Sequence, residues 1–161
     1  MWQKHLQIFI KLSYLVLFLS LNACASPAYR LNDTKSDPIV LKRITTFYQN
    51  WQKTPYKYGG NTKKGIDCSG LVMKFYSDYY KKALPRVTEK QSEYGDNVTN
   101  LIAGDLVFFK TGKGKTGLHV GIYYKNGKFL HVSSTKGVTL SNLTDPYWHK
   151  RYWKATRVLA P

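Results

Sequence analysis

The sequence predicts an α+β fold. Apolar residues recur at helical spacing in the first half of the body of the chain, and from residue 106 onward the pattern changes to short runs bounded by turn residues. A length of 161 residues adds that one domain with its own core is the expected unit.

Taken in order, Met1 to His5 is a short polar start, and Leu12 to Leu21 is an apolar run of about ten residues. A bilayer span needs about 20, so this run reads as the apolar centre of a signal peptide. It ends in Leu21-Asn22-Ala23-Cys24, a small residue before a cysteine, which resembles a lipobox. Cleavage is expected before Cys24, with lipid attached to its sulfur. Residues 1–23 are therefore expected to be a lipoprotein signal peptide. Residues 24–36 are polar and carry Pro27 without periodicity, so they are expected to be a flexible tether. Residues 37–161 form the predicted domain. With Cys24 a thioether, Cys68 is the only thiol left, in a compartment where thiols usually pair.

The first helix opens at Asp37-Pro38, a capping residue before proline in its favoured first turn. Val40, Leu41, Ile44, Phe47, Tyr48 and Trp51 fall on one face, and Lys53-Thr54-Pro55 ends it. The Gly59-Gly60 turn leads to a second helix, which Asp67 can cap and in which Cys68, Leu71, Val72, Phe75 and Tyr79 recur at helical spacing. A short helical candidate spans Thr88 to Tyr94. Strands follow at Leu106–Phe109, Leu118–Tyr124, Lys128–Ser134, Val138–Leu140 and Tyr152–Leu159, as an antiparallel meander.

The chemistry starts at Asp67-Cys68-Ser69-Gly70. A cysteine in the first turn of a helix sits at the positive end of the macrodipole, where unpaired amides favour a thiolate and could hold an oxyanion. A thiolate nucleophile also needs a base. Three histidines lie beyond the leader, His119, His131 and His149, and the first two sit in adjacent predicted strands. A strict two-residue Asn126-Gly127 loop would put their rings on opposite sides. A three-residue loop, Lys125-Asn126-Gly127, pairs Gly121 with His131 and His119 with Ser133, which makes the rings diagonal neighbours with open space over Gly121. The chemistry requires this second register. His119 then takes the proton of Cys68 or forms an ion pair with it, and His131 orients His119. Two other readings stand beside this one: structural strand histidines, or Cys68, His119 and His131 as three zinc ligands, although the spacings carry no metal signature.

These residues resemble the NlpC family of papain-like cell-wall peptidases. The matching stretches run in order: Pro55-Tyr56-Lys57-Tyr58-Gly59-Gly60, Asp67-Cys68-Ser69-Gly70-Leu71-Val72, Leu84-Pro85-Arg86, Gly104-Asp105-Leu106-Val107-Phe108-Phe109, His119-Val120-Gly121-Ile122-Tyr123 and Phe129-Leu130-His131, with Tyr147-Trp148 trailing. The resemblance covers about Tyr48 to Val158. It implies a papain-like core, the cysteine helix packed on a five- or six-stranded antiparallel barrel-like sheet. It also implies Cys68 as nucleophile, His119 as general base and acid, and His131 as the orienting residue. Tyr56, Asp67 and Ser69 are implied to bind substrate or oxyanion, though Asp67 as a helix cap needs no substrate and Tyr56 also fits a core aromatic.

The implied substrate is peptidoglycan, cut at the D-alanyl–diaminopimelate cross-link or the γ-D-glutamyl–diaminopimelate bond, with no cofactor and no metal. Some relatives carry SH3-like domains before the catalytic one; their absence before residue 37 favours cross-linked wall as substrate. Ala25 after Cys24 resembles sorting to the periplasmic face of the outer membrane, so the expected unit is a lipid-anchored periplasmic monomer. Amidase or acyl-transfer chemistry by the same triad, or a catalytically idle wall-binding module, are the alternatives. From residue 24 onward, 23 basic and nine acidic residues give about +14, which suits carboxylate-rich stem peptides. The basic residues form no continuous block and the leader directs export, so nucleic acid is not an expected partner.

Overall fold

The computed structural model describes residues 28–112 and 117–159. Its first strand, β1 (Arg30–Leu31), runs parallel to Asn100–Leu101. Tyr29 before it is 7% exposed, and a 3-10 turn at Asp33–Lys35 follows. Asp33 accepts hydrogen bonds from the Tyr123 hydroxyl at 2.7 Å and the Asn126 amide at 2.9 Å. The stretch expected to be a tether over 24–36 is thus packed on the domain from Tyr29 onward. A buried aromatic and a carboxylate with two donors outweigh the polar composition on which that expectation rested. Residues 1–27, with the expected signal peptide and Cys24, lie outside the described residues.

Helix α1 (Pro38–Trp51) starts where its cap predicts, the Asp37 carboxylate accepting from the Ile39 amide at 2.7 Å. Val40, Ile44, Phe47 and Trp51 are its buried stripe. Short strands β2 (Asn61–Thr62) and β3 (Gly65–Ile66) form a ribbon leading into helix α2 (Cys68–Tyr80). Leu71, Val72, Phe75 and Tyr76 are fully buried there, and Phe75 meets Phe47 of α1 edge-on at 5.3 Å between ring centroids. Truncating either ring would cost about 3–5 kcal/mol. The short helix α3 (Thr88–Gln91) starts where predicted and stops three residues before Tyr94.

Strands β4 (Asp96–Val98), β5 (Asn100–Leu101), β6 (Leu106–Lys110), β7 (Leu118–Tyr123), β8 (Lys128–Ser133) and β9 (Gly137–Asn142) follow, then helix α4 (Pro146–Arg151) and strand β10 (Tyr152–Arg157). One six-stranded sheet has the order β4-β10-β6-β7-β8-β9, all antiparallel. The meander is as predicted for β6 to β9; β10 crosses back to pair with β6, and β4 forms the edge.

Alternation along the strands divides the interior. Leu106, Phe108, Val120, Ile122, Leu130 and Val132 face the helices, whereas Val107, Phe109, Tyr123, Phe129 and Ala155 pack with Tyr29 and Leu143 on the other face. Beneath β7, the Tyr76 hydroxyl of α2 donates to the Gly104 carbonyl, which ties helix to sheet. No helix among the described residues is long and apolar enough to cross a membrane.

Candidate active site

The β7–β8 hairpin has the register the chemistry requires. Ile122 faces Leu130 and Tyr123 faces Phe129. The Tyr124 amide then donates to the Lys128 carbonyl and the Lys128 amide to that of Lys125, with Asn126 and Gly127 both at positive φ. The three loop residues are those predicted. The turn differs in one respect, because Asn126 is left-handed along with Gly127, as a type I′ geometry demands. The same register continued inward sets the two rings on one face, and His119 Nε2 lies 3.0 Å from His131 Nδ1.

His131 is 1% exposed, and its Nε2 meets the Ser141 hydroxyl of β9 at 2.8 Å. Trp148 of α4 covers both rings, with centroids 5.2 Å from His119 and 4.9 Å from His131. The space over Gly121 is not open, as the sequence had suggested. The Phe129 ring fills it: a Cβ on Gly121 would come within 2.5 Å of that ring, which also packs on His131 at 4.9 Å. Gly121 serves this aromatic stack and leaves no void between the imidazoles.

Cys68 is the first residue of α2 and a free, partly exposed thiol. Asp67 caps that helix, accepting from the Gly70 amide at 2.7 Å. The same carboxylate accepts from the Gly59 amide at 2.9 Å, the Ser69 hydroxyl at 3.2 Å, and both terminal nitrogens of Arg86 at 2.9 and 2.7 Å. Burial works to raise its pKa, but the hydrogen bonds of Arg86 and Gly70 outweigh burial and hold the carboxyl below its ordinary value. Ser69 is engaged too, its hydroxyl receiving Arg86 Nη1 at 2.8 Å. Asp67 and Ser69 therefore build the nucleophile's loop, although both reach the cleft.

That cleft, of about 410 Å³, is lined by Tyr56, Tyr58, Cys68, Arg86, Thr88 and Leu118 among others. Tyr56 is 41% exposed rather than a core aromatic. It bridges Ile66 in parallel, with the Ile66 amide donating to the Pro55 carbonyl, so its ring is anchored one strand from the cysteine. Burial first, then Cys68 and Asp67 nearby, raise its phenol above the ordinary value, so it is an uncharged donor at neutral pH.

Burial also pushes the Cys68 thiol up, against hydrogen bonds from the Val120 amide and the Thr88 hydroxyl that favour the thiolate. The dipole expectation of a ready thiolate is overturned in direction, because desolvation is the larger effect. Burial likewise lowers His119 to about 4 and His131 well below its usual value. The resting pair is a neutral thiol and a neutral imidazole.

The sulfur's side-chain hydrogen-bond partner is Thr88 Oγ1 at 3.7 Å, not a ring nitrogen of His119. Sulfur and imidazole come together through β7 itself, since Val120, whose amide meets the sulfur, directly follows His119. Sequence reasoning passed over Thr88, Ser141 and Trp148. Only Trp148 carried a signal, through the trailing Tyr147-Trp148 pair. His149 lies on α4, exposed, and lines a separate surface hollow with Tyr29 and Thr144. Among the described residues, no group of three or more His, Cys, Asp or Glu is placed to hold a metal ion.

A family model described as NlpC/P60 family matches residues 53–157. The chain is 45% identical over 134 residues to the probable endopeptidase NlpC of Escherichia coli K12, covering 82% of this chain and 85% of that protein. It is 47% identical over 123 residues to the murein DD-endopeptidase MepS/murein LD-carboxypeptidase of the same strain, covering 75% and 64%. A solved Staphylococcus aureus protein, described as similar to lipoprotein, NLP/P60 family, superposes with a TM-score of 0.68 at 30% identity, covering 81% of this chain and 46% of that one.

Proposed function

The chain belongs to the NlpC/P60 family, and from that premise we propose how its residues carry out the family's chemistry on the bacterial wall. The protein is a cysteine endopeptidase of peptidoglycan and acts outside the cytoplasm. The observation that carries the residue assignment is the pair of imidazoles joined at 3.0 Å beside a cysteine that opens a helix in a cleft.

His131 engages Nε2 of His119, which leaves Nδ1 for the sulfur. His119 takes the thiol proton at Nδ1 as Cys68 Sγ adds to the scissile carbonyl carbon. The oxyanion forms among the amides at the start of α2, with the Tyr56 phenol as a further donor. Collapse breaks the C–N bond, and the leaving amine receives the proton from His119. Water then adds to the thioester, His119 taking its proton and returning it to the departing sulfur.

The cross-link between D-alanine and diaminopimelate is the bond this reading favours, since the MepS relative is named a DD-endopeptidase. A net charge of about +14 from residue 24 onward attracts the carboxylate-rich wall. Lipid on Cys24 would hold the enzyme at the periplasmic face of the outer membrane.

Digestion of purified, cross-linked peptidoglycan tests the assignment, with products identified by mass spectrometry. Once the glycan is cut with a muramidase, wall treated with wild type should give uncross-linked muropeptides in place of cross-linked dimers, and wall treated with Cys68→Ala should keep its dimers. Equal digestion by Cys68→Ala would remove the cysteine from the mechanism, and fragments ending at γ-D-glutamate would move the cut into the stem.

A further inference from the structure

The segment from Arg86 to Gln91 runs alongside the start of α2 and grips three consecutive residues. Arg86 holds Asp67 with two hydrogen bonds, at 2.9 and 2.7 Å. Thr88 Oγ1 meets Cys68 Sγ at 3.7 Å. Gln91, fully buried, donates Nε2 to the Ser69 carbonyl at 3.0 Å and to the Pro85 carbonyl at 2.8 Å. The outer two contacts fix the carboxylate that precedes the nucleophile and the backbone carbonyl that follows it. The middle one falls on the reacting atom.

We propose that Thr88 is a further catalytic residue, whose hydroxyl donates a hydrogen bond to the Cys68 sulfur and steadies the thiolate formed when His119 removes the proton. The inference rests on Cys68 being the nucleophile. Direction follows from the chemistry: the thiol proton must point to His119, so at the Thr88 contact the hydroxyl supplies the hydrogen. Thr88 is 8% exposed, and the sulfur is its only side-chain hydrogen-bond partner among the described residues, so the hydroxyl is not engaged elsewhere. The side chain is β-branched, with few rotamers to choose from. Burial pushes the thiol up, so each donor aimed at the sulfur makes proton removal easier.

The test is the pH dependence of Cys68 alkylation by iodoacetamide, read by mass spectrometry of the Cys68 peptide in the full-length protein held in mild detergent. Wall digestion is measured in parallel. Thr88→Val should move the alkylation midpoint up by about one pH unit and slow digestion roughly tenfold at pH 7. Thr88→Ala, which adds nothing to the packing, should show the same upward shift. Thr88→Ser should return both readings to within about twofold of wild type. An unmoved midpoint in either folded variant lacking the hydroxyl overturns the proposal, as does a serine variant no better than alanine. Loss of the nucleophile reading is distinguishable, because it would show as digestion by Cys68→Ala whatever Thr88 does to alkylation.

Discussion

His131 Nδ1 stands 3.0 Å from His119 Nε2, and this contact dictates where protons sit. For His119 to accept the thiol proton at Nδ1, its resting hydrogen must be on Nε2. His131 Nδ1 is then an acceptor, which puts the hydrogen of His131 on Nε2, 2.8 Å from the Ser141 hydroxyl. Both rings are neutral, because burial holds His119 at about 4 and His131 well below its ordinary range. The row Cys68, His119, His131, Ser141 therefore has one tautomer that works.

Replacements along this row should be graded. His119→Ala removes the proton acceptor and should lower the initial rate of cross-link cleavage by about 10³-fold. His131→Ala leaves the base but frees its ring, and a loss of about 10–100-fold is expected. Ser141→Ala strands a buried N–H, at a cost of about 1–3 kcal/mol in stability measured by urea unfolding. A His131 variant as inactive as the His119 variant would contradict the assigned order.

Activity should persist in acid. The base works only while neutral, so kcat/KM should fall as pH drops through about 4, rather than through the 6.5 of an ordinary histidine. Between those values the unfolded chain binds more protons at this site than the folded one. Stability should therefore decline as pH falls from 6.5 to 4, and His119→Asn should flatten that slope in thermal melts. Trp148→Ala uncovers both rings and should move the acid limb upward. A wild-type limb near 6.5 would show that the ring is solvated.

Gly70→Ala should destabilise although it lies inside a helix. Alanine in place of helical glycine ordinarily adds up to about 1 kcal/mol. Here the new Cβ would sit 2.7 Å from the Gly60 carbonyl oxygen and 3.0 Å from Asp67 Oδ1. The expected result is a loss of about 1–3 kcal/mol in urea unfolding, with slower wall digestion as the first turn of α2 is pushed off the Gly59-Gly60 loop.

Asp67→Asn should be costly although it leaves the thiol itself in place. The exchange leaves Arg86 facing a neutral amide and puts an NH2 where donors converge on Asp67. Arg86 is more than a third exposed, so solvent offsets part of the loss, and about 2–4 kcal/mol is expected in urea unfolding. The double variant with Arg86→Met should recover part of it, which a capping role alone would not produce.

The parts of the fold legible in the sequence are those set by local rules. Asp37-Pro38 and Asp67 mark helix starts, and the hairpin register follows from three loop residues together with the demand that two rings meet. Helix α4 was missed although Asp145-Pro146 repeats the Asp37-Pro38 signal, with Asp145 accepting from the Tyr147 amide at 2.8 Å. Its six residues are too few to show periodicity. Strands β4 and β5 are short and rich in Asn and Asp, so their pairing comes from their neighbours, the sheet edge at β10 for β4 and strand β1 for β5, and not from propensity. At the site, Cys68 and the histidines stand out by residue type. Thr88 and Ser141 do not, because a hydroxyl gains meaning only from what lies 20 and 10 residues away in the chain.

The early packing of Tyr29 would set the working distance of a lipid-anchored enzyme. An extended chain advances at most about 3.5 Å per residue, so a lipid on Cys24 would leash the domain by roughly 18 Å, against about 45 Å had the chain run free to Asp37. On so short a leash the catalyst would patrol the membrane-facing layer of the sacculus. Deeper strands would be spared by reach alone, without any inhibitor.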